Sequence, residues 1–201
     1  AHKGRCTMAF DTSYKALHKR GYRTEGHPAP IKETLAATLL DLIDYDGNTA
    51  FYDPMAGSGT IAIEATSLAL NKAPLIHRKK DEFGFERLKT FNRELWRNTQ
   101  DHARRTKLGK PESQVFLADI NRNYVEKARS NAVRARVEKH MEFNVGSFFD
   151  LDAPSDSGIM VTNLPYGERL KNSAEDIDEE FYKRIGDTLK HKYKGWKAGL
   201  L

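Results

Sequence analysis

Short apolar runs alternate with amphipathic stretches through most of the chain. Ala50-Phe51-Tyr52, Val115–Ala118, Met141–Val145, Ile159–Thr162 and Trp196–Leu201 have the length and β-branched or aromatic content of buried strands. Between them, apolar residues recur at helical spacing. They do so at Ile31, Leu35, Leu39 and Ile43, from Ile61 to Ala69, at Tyr124, Ala128, Ala132 and Ala135, and at Ile177, Phe181, Ile185 and Leu189. Pro30 suits the start of the first of these helices. Strand alternating with helix predicts an α/β fold with a doubly wound, mostly parallel sheet. An additional strand is expected at Cys6–Asp11, ahead of a compact basic turn, His18–Arg23, which by itself reads as a solvated loop.

The first strand runs into Asp53-Pro54-Met55-Ala56-Gly57-Ser58-Gly59-Thr60, and a helix follows at once. Strand, glycine turn and helix is the arrangement that seats a small ligand at the carboxyl edge of such a sheet. Gly57 and Gly59 let the backbone turn tightly and approach that ligand. Three ligands compete. A mononucleotide loop needs a lysine that is absent here. A dinucleotide loop is compatible with Gly57-x-Gly59-x-x-Ala62, but the acids at the expected distance, Asp81 and Glu82, lie in a charged segment with no strand pattern. The third is S-adenosylmethionine, whose binding loop is similar to D-P-x-x-G-S-G-T. An acid before the glycines suits this cationic cofactor better than a pyrophosphate.

Composition narrows the class. The chain has 201 residues, 39% hydrophobic and 30% charged, which fits one globular domain with a full core and an excursion. Cys6 is the only cysteine, so neither a disulfide framework nor a thiolate metal site is expected, in keeping with a cytoplasmic protein. Glu64 interrupts the most apolar helix, and no membrane span is expected. The net charge of +5 is unevenly spread. Residues 71–113 hold 12 Lys or Arg against 6 Asp or Glu, whereas the rest of the chain holds 21 against 22. That basic insertion interleaves its cations with Phe83, Phe85, Phe91 and Trp96. The cations favour a nucleic-acid partner. The aromatics suit a small core of the insertion's own better than a stacking platform for bases.

Asp119 closes the second strand, where a carboxylate can accept two hydrogen bonds from a ribose diol. It is the acid of the loop pattern, displaced by the insertion. After the third strand comes Gly146-Ser147-Phe148, where Ser147 or Phe148 would flank an adenine ring; Phe148 is equally suited to the core. The fourth strand ends in Asn163-Leu164-Pro165-Tyr166-Gly167. A polar side chain, a carbonyl held by proline and an aromatic ring, in that order, suit methylation of an exocyclic amine. The lone pair of such an amine is delocalised into the base. The Asn163 side-chain oxygen and the Leu164 carbonyl would accept its two hydrogens, Pro165 would preorganise both acceptors, and Tyr166 would stack on the extruded base.

With these motifs, Arg20-Gly21-Tyr22-Arg23, Ala29-Pro30-Ile31-Lys32-Glu33-Thr34-Leu35-Ala36-Ala37 and Phe83-Gly84-Phe85-Glu86, nearly the whole chain resembles the THUMP-associated RNA guanine-N2 methyltransferases, the RlmL/YpsC-type family acting on 23S ribosomal RNA. The resemblance implies a class I, Rossmann-like S-adenosylmethionine-dependent fold. Pro30, Asp53, Pro54, Met55, Ala56, Gly57, Ser58, Gly59, Thr60, Asp119, Ile120, Ser147, Phe148 and Asn163 would then contact the cofactor, with Pro30 over its methionine end. Asn163, Leu164, Pro165 and Tyr166 would receive the guanine, and no metal is called for. Residues 1–28 are read as a strand and linker, and residues 29–201 as the methyltransferase domain. Family members carry an N-terminal THUMP domain and seven strands, so this chain is expected to be a catalytic domain without its last strands. Three alternatives stay open: a tRNA guanine-N2 enzyme, an adenine-N6 enzyme, and a non-catalytic RNA-binding module. No membrane partner is expected.

Overall fold

Phe51–Asp53 (β1) has only three residues, yet all are buried, because β1 lies at the centre of a five-stranded sheet. The computed structural model describes residues 4–6, 8–23, 31–79, 82–165 and 179–201. The other strands are Val115–Asp119 (β2), Met141–Val145 (β3), Gly158–Thr162 (β4) and Trp196–Leu200 (β5), in the order β3-β2-β1-β4-β5. Every neighbouring pair is parallel. Asp53 pairs with Leu117, Asp119 with Val145, and Thr162 with Leu200, which brings the carboxyl ends to one edge. Strand order reverses between β1 and β4, and the cleft above such a switch is where open α/β sheets bind ligands.

Side chains along the central strands alternate between two cores. Phe51, Val115, Leu117, Ile159 and Val161 face one way, under Glu33–Leu42 (α1), Thr60–Ala69 (α2) and Arg122–Ala135 (α4). Tyr52, Phe116, Ala118 and Met160 face the other way, against Phe148, Phe149 and Glu179–Lys192 (α5). Two helical layers on a parallel sheet is the doubly wound architecture that the hydrophobic pattern predicts. The edges are wetter: β3 is fully buried only at Met141, and β5 nowhere.

Several expectations shift by a residue or more. The buried face of α1 is Glu33, Ala36 and Leu40; Leu35 is 44% exposed. In α4 the buried stripe is Val125, Ala128, Asn131, Ala132 and Ala135, with Tyr124 only half-buried, because Asn121 starts that helix and sets its rotation. The expected strand at Cys6–Asp11 does not form among the described residues, which hold only an isolated bridge at Arg5. Met8 is 92% exposed and Phe10 60%, so nothing there has a core face to bury. Asp11 instead closes a turn by accepting from the Ser13 N–H at 2.8 Å. Ile177 lies outside the described residues.

The basic turn is docked rather than solvated. Arg23 donates to Glu33 at 2.8 Å and to the Ile31 carbonyl at 3.0 Å. The Tyr22 hydroxyl donates to the buried Glu64 at 3.1 Å, and Arg20 reaches the same carboxylate at 3.4 Å. Burial pushes the Glu64 carboxyl up from its ordinary value, while Arg20 and Tyr22 oppose that shift. This clasp ties the N-terminal segment to α1 and α2.

The basic insertion follows α2 and carries Arg93–Arg105 (α3), which buries none of its own residues. Its aromatics pack on one another, with ring centroids 5.2 Å apart for Phe83–Phe85 and 4.9 Å for Phe85–Trp96. The preceding segment leans on it. Arg78 donates to the carbonyls of Ser13, Lys15 and Ala16, and the Phe85 N–H donates to Thr12.

Two substitutions test these contacts. Gly59 has φ +77°, and a Cβ there would meet the Ala128 Cβ at 2.8 Å. Gly59→Ala is therefore expected to destabilise by about 2–4 kcal/mol, from left-handed strain plus overpacking of α2 on α4. In thermal denaturation that is a fall of roughly 5–12 °C. Glu33→Ala strands the Arg23 guanidinium and is expected to lower stability by roughly 3 kcal/mol in denaturant titration.

Candidate functional site

The glycine loop begins where β1 ends. The Ala56 N–H donates to the Ala118 carbonyl of β2 at 2.9 Å, and the Gly59 N–H to the Ala56 carbonyl at 2.8 Å. Gly57 and Gly59 have φ +52° and +77°, so both sit in the left-handed region that glycine adopts without strain. Gly59 is the N-cap of α2, and its backbone presses on Ala128 of α4. The loop is thus held from below by the α2–α4 contact, and its backbone is exposed to the cleft.

Asp119 joins the loop to the second strand. One oxygen accepts the Gly57 N–H at 2.8 Å, and the other accepts the Asn121 N–H at 2.9 Å. A carboxylate at a strand tip is the kind of group that accepts from the two hydroxyls of a ribose diol. Its own carbonyl accepts from the Gly146 N–H at 3.1 Å, which draws the tip of β3 into the same assembly. Ile120, next along, is 61% exposed and offers an apolar surface beside the carboxylate.

Asp53, almost fully buried, accepts from the Thr162 hydroxyl at 2.9 Å and so fastens β4 to β1 across the switch point. Beneath it, burial first and then Tyr193 push the Tyr52 phenol far up, with Asp53 adding to the shift; Tyr52 stays neutral. Just beyond Thr162, Asn163 is buried, and its side-chain oxygen has no hydrogen-bond partner among the described residues. Leaving such an acceptor dry is worth about 1–3 kcal/mol against the fold. The backbone around Asn163 is held in a ladder with β5: the Leu201 N–H donates to Thr162 at 3.1 Å, and the Leu164 N–H donates to Leu201 at 3.0 Å.

Asp53, the loop from Pro54 to Thr60, Asp119, Ile120, Ser147, Asn163, Leu164 and Pro165 therefore gather on one edge of the sheet. Ser147 accepts the Phe149 N–H at 3.3 Å and shapes its turn. The Phe148 ring is committed to the core, stacked on Tyr193 at 5.3 Å, which is the second of the two roles open to it. Pro30 and Tyr166 lie outside the described residues. Two contributors carry no motif. Thr162 is the partner of Asp53, and Asn131, buried in α4, donates to the Ser58 carbonyl at 3.0 Å. An asparagine between Ala128 and Ala132 on a core-facing stripe is the only sequence signal for the latter. Among the described residues no cluster of three or more His, Cys, Asp or Glu could hold a metal ion.

Residues 20–201 match the family UPF0020: RMKL-like, methyltransferase domain. The chain belongs to this family. It is 37% identical over 203 residues to the ribosomal RNA large subunit methyltransferase K/L of Shewanella pealeana, covering 99% of this chain and 28% of that protein. It thus spans little more than a quarter of that relative's length. Among solved structures it is similar to a possible methylase from Clostridium difficile 630, with 36% identity and a TM-score of 0.80 over 94% of this chain and 48% of the other. SMU.472, solved in complex with SAH, gives 30% identity and a TM-score of 0.80 over the same shares. The fold is the class I, Rossmann-like methyltransferase fold, as the motifs imply.

Asp119→Ala would leave the Gly57 and Asn121 N–H groups without their acceptor. Thermal denaturation is expected to show a loss of about 2 kcal/mol, or roughly 4–8 °C.

Proposed function

We propose that this chain methylates the exocyclic N2 amine of a guanine in 23S ribosomal RNA, with S-adenosylmethionine as the donor. The observation that carries the reading is the dry Asn163 oxygen, one strand away from the glycine loop. The residues present suit the cofactor. Gly57 and Gly59 give a Cβ-free turn, Asp119 places at the strand tip a carboxylate of the kind that holds a ribose diol, and Ile120 supplies an apolar surface for a purine. The SAH-bound neighbour and the family description support the same cofactor.

When bound, the cofactor supplies an activated methyl group on a sulfonium centre, which leaves as a neutral thioether. The chain's part is positioning and charge arrangement. Asn163 Oδ1 and the Leu164 carbonyl accept the two hydrogens of the amine, drawing its lone pair out of conjugation and towards the methyl carbon. Positive charge develops on that nitrogen as its bond to carbon forms. Two preorganised acceptors stabilise the charge more than they stabilise the neutral amine, and that difference lowers the barrier. Pro165 restricts the backbone that carries them. Tyr166 would stack on the base once it has left its helix.

The large-subunit relative supports ribosomal RNA as the substrate, and with it the cytoplasm as the site of action. The much greater length of that relative supports an additional RNA-binding portion, of THUMP type, in the full-length protein. No helix among the described residues is long and apolar enough to cross a membrane.

The test is methyl transfer to 23S RNA, followed by nuclease digestion and mass spectrometry of the nucleosides. N2-methylguanosine is expected, and N6-methyladenosine would overturn the guanine assignment. Asn163→Ala should reduce turnover by about 10²–10³-fold. Because the oxygen has no partner to lose, the melting temperature should stay close to that of the parent chain.

A further inference from the structure

A large cavity lies away from the strand tips. It has a volume of about 1280 Å³ and lies between the ends of α2 and α4, the start of the basic insertion and the docked N-terminal segment. None of the residues at the strand tips lines it. Its walls carry seven Lys or Arg side chains against two carboxylates, Glu64 and Glu82. Both carboxylates are already paired, Glu64 with Arg20 and Glu82 with Lys15. The remaining five cations have no carboxylate partner among the described residues.

We propose that this groove binds the phosphodiester backbone of the RNA substrate, as a second contact surface remote from the strand tips. The proposal rests on the reading that RNA is the substrate. Three separate segments of chain, around Lys15 to Arg20, Lys72 to Arg78 and Arg134 to Arg136, line one concavity with cations, a shape that follows an extended polyanion and not a flat anionic surface. Lys72 donates to the Ala135 carbonyl at the end of α4, which offsets the negative pole of that helix. Burial, followed by Lys107 and Arg136, holds the Lys72 ammonium below its ordinary value. Burial and the same group of cations hold the His77 imidazole down. Such mutual crowding is relieved by an anion. Arg136 also stands at φ +58° just after α4, where glycine is the least strained residue, so its side chain is retained at a conformational cost of about 1 kcal/mol.

Of the two aromatics that line the groove, Tyr14 is covered by the Arg87 guanidinium, 4.0 Å from its ring centre, and Tyr22 is buried, so neither is offered as a stacking platform for bases. Contacts of this kind position RNA without reading its sequence. The groove would then supply affinity and register, and the strand tips the choice of base.

The experiment uses the triple variant Lys19→Ala, Arg134→Ala, Arg136→Gly at three cations that line the groove, in which the last change relieves the strained φ. Anisotropy titration of a fluorescein-labelled RNA stem-loop is run over a potassium chloride series, with S-adenosylmethionine calorimetry in parallel. Loss of three phosphate contacts should flatten the slope of log affinity against log salt by roughly 2, and weaken binding at least tenfold at low salt. Cofactor affinity should be unchanged, and the melting temperature should not fall. Keeping the charge with Lys19→Arg, Arg134→Lys should retain most of the slope. An unaltered slope and affinity would overturn the groove while leaving the methyl-transfer reading intact. Absence of cofactor binding in the parent chain would count against that reading instead.

Discussion

The Asp119 carboxylate is the fastening on which the site depends. It takes the Gly57 N–H from the loop after β1 and the Asn121 N–H from the start of α4, and its own carbonyl takes the Gly146 N–H after β3. Three strand tips are therefore referenced to one residue. Parallel strands have no hairpins to set the relative height of their ends, so such cross-tip bonds must do it. The Asp53–Thr162 bond does the same across the switch point, and the site is rigid because these bonds lie in buried surroundings.

Stability and chemistry divide cleanly along the sheet. Below the tips, both faces of β1, β2 and β4 are apolar and alternate between two cores. Among the described residues at the tips, the buried polar groups are answered except the Asn163 oxygen. On the proposed function, an incoming amine would complete that acceptor.

Charge is divided in the same way. The cations cluster on the insertion and the N-terminal segment, away from the acids at Asp53 and Asp119. A cationic cofactor at the tips and a polyanion on the flank would thus each meet complementary charge. The clasp of Arg20, Tyr22 and Arg23 on Glu64 and Glu33 joins the two regions, and it also forms one wall of the basic groove.

The amino-acid sequence by itself determined the five strands, their alternation with helices, the glycine loop, the acid at the end of β2 and the polar turn after β4. These are local patterns of periodicity and turn chemistry, legible because each is enforced within a few residues. It did not determine the rotation of α1 and α4, which is why Leu35 and Tyr124 read as more buried than they are. Nor did it show that Cys6–Asp11 lacks a strand partner, that Arg20–Arg23 docks, or that Phe148 enters the core. It held almost no sign of Thr162 and Asn131 as supports. Those facts belong to the tertiary structure, since hydrogen bonds between residues separated by 73 and 109 positions leave no periodic trace in the chain. The basic groove belongs there too: the excess charge is countable in the sequence, but only packing brings three cation-bearing segments around one cavity.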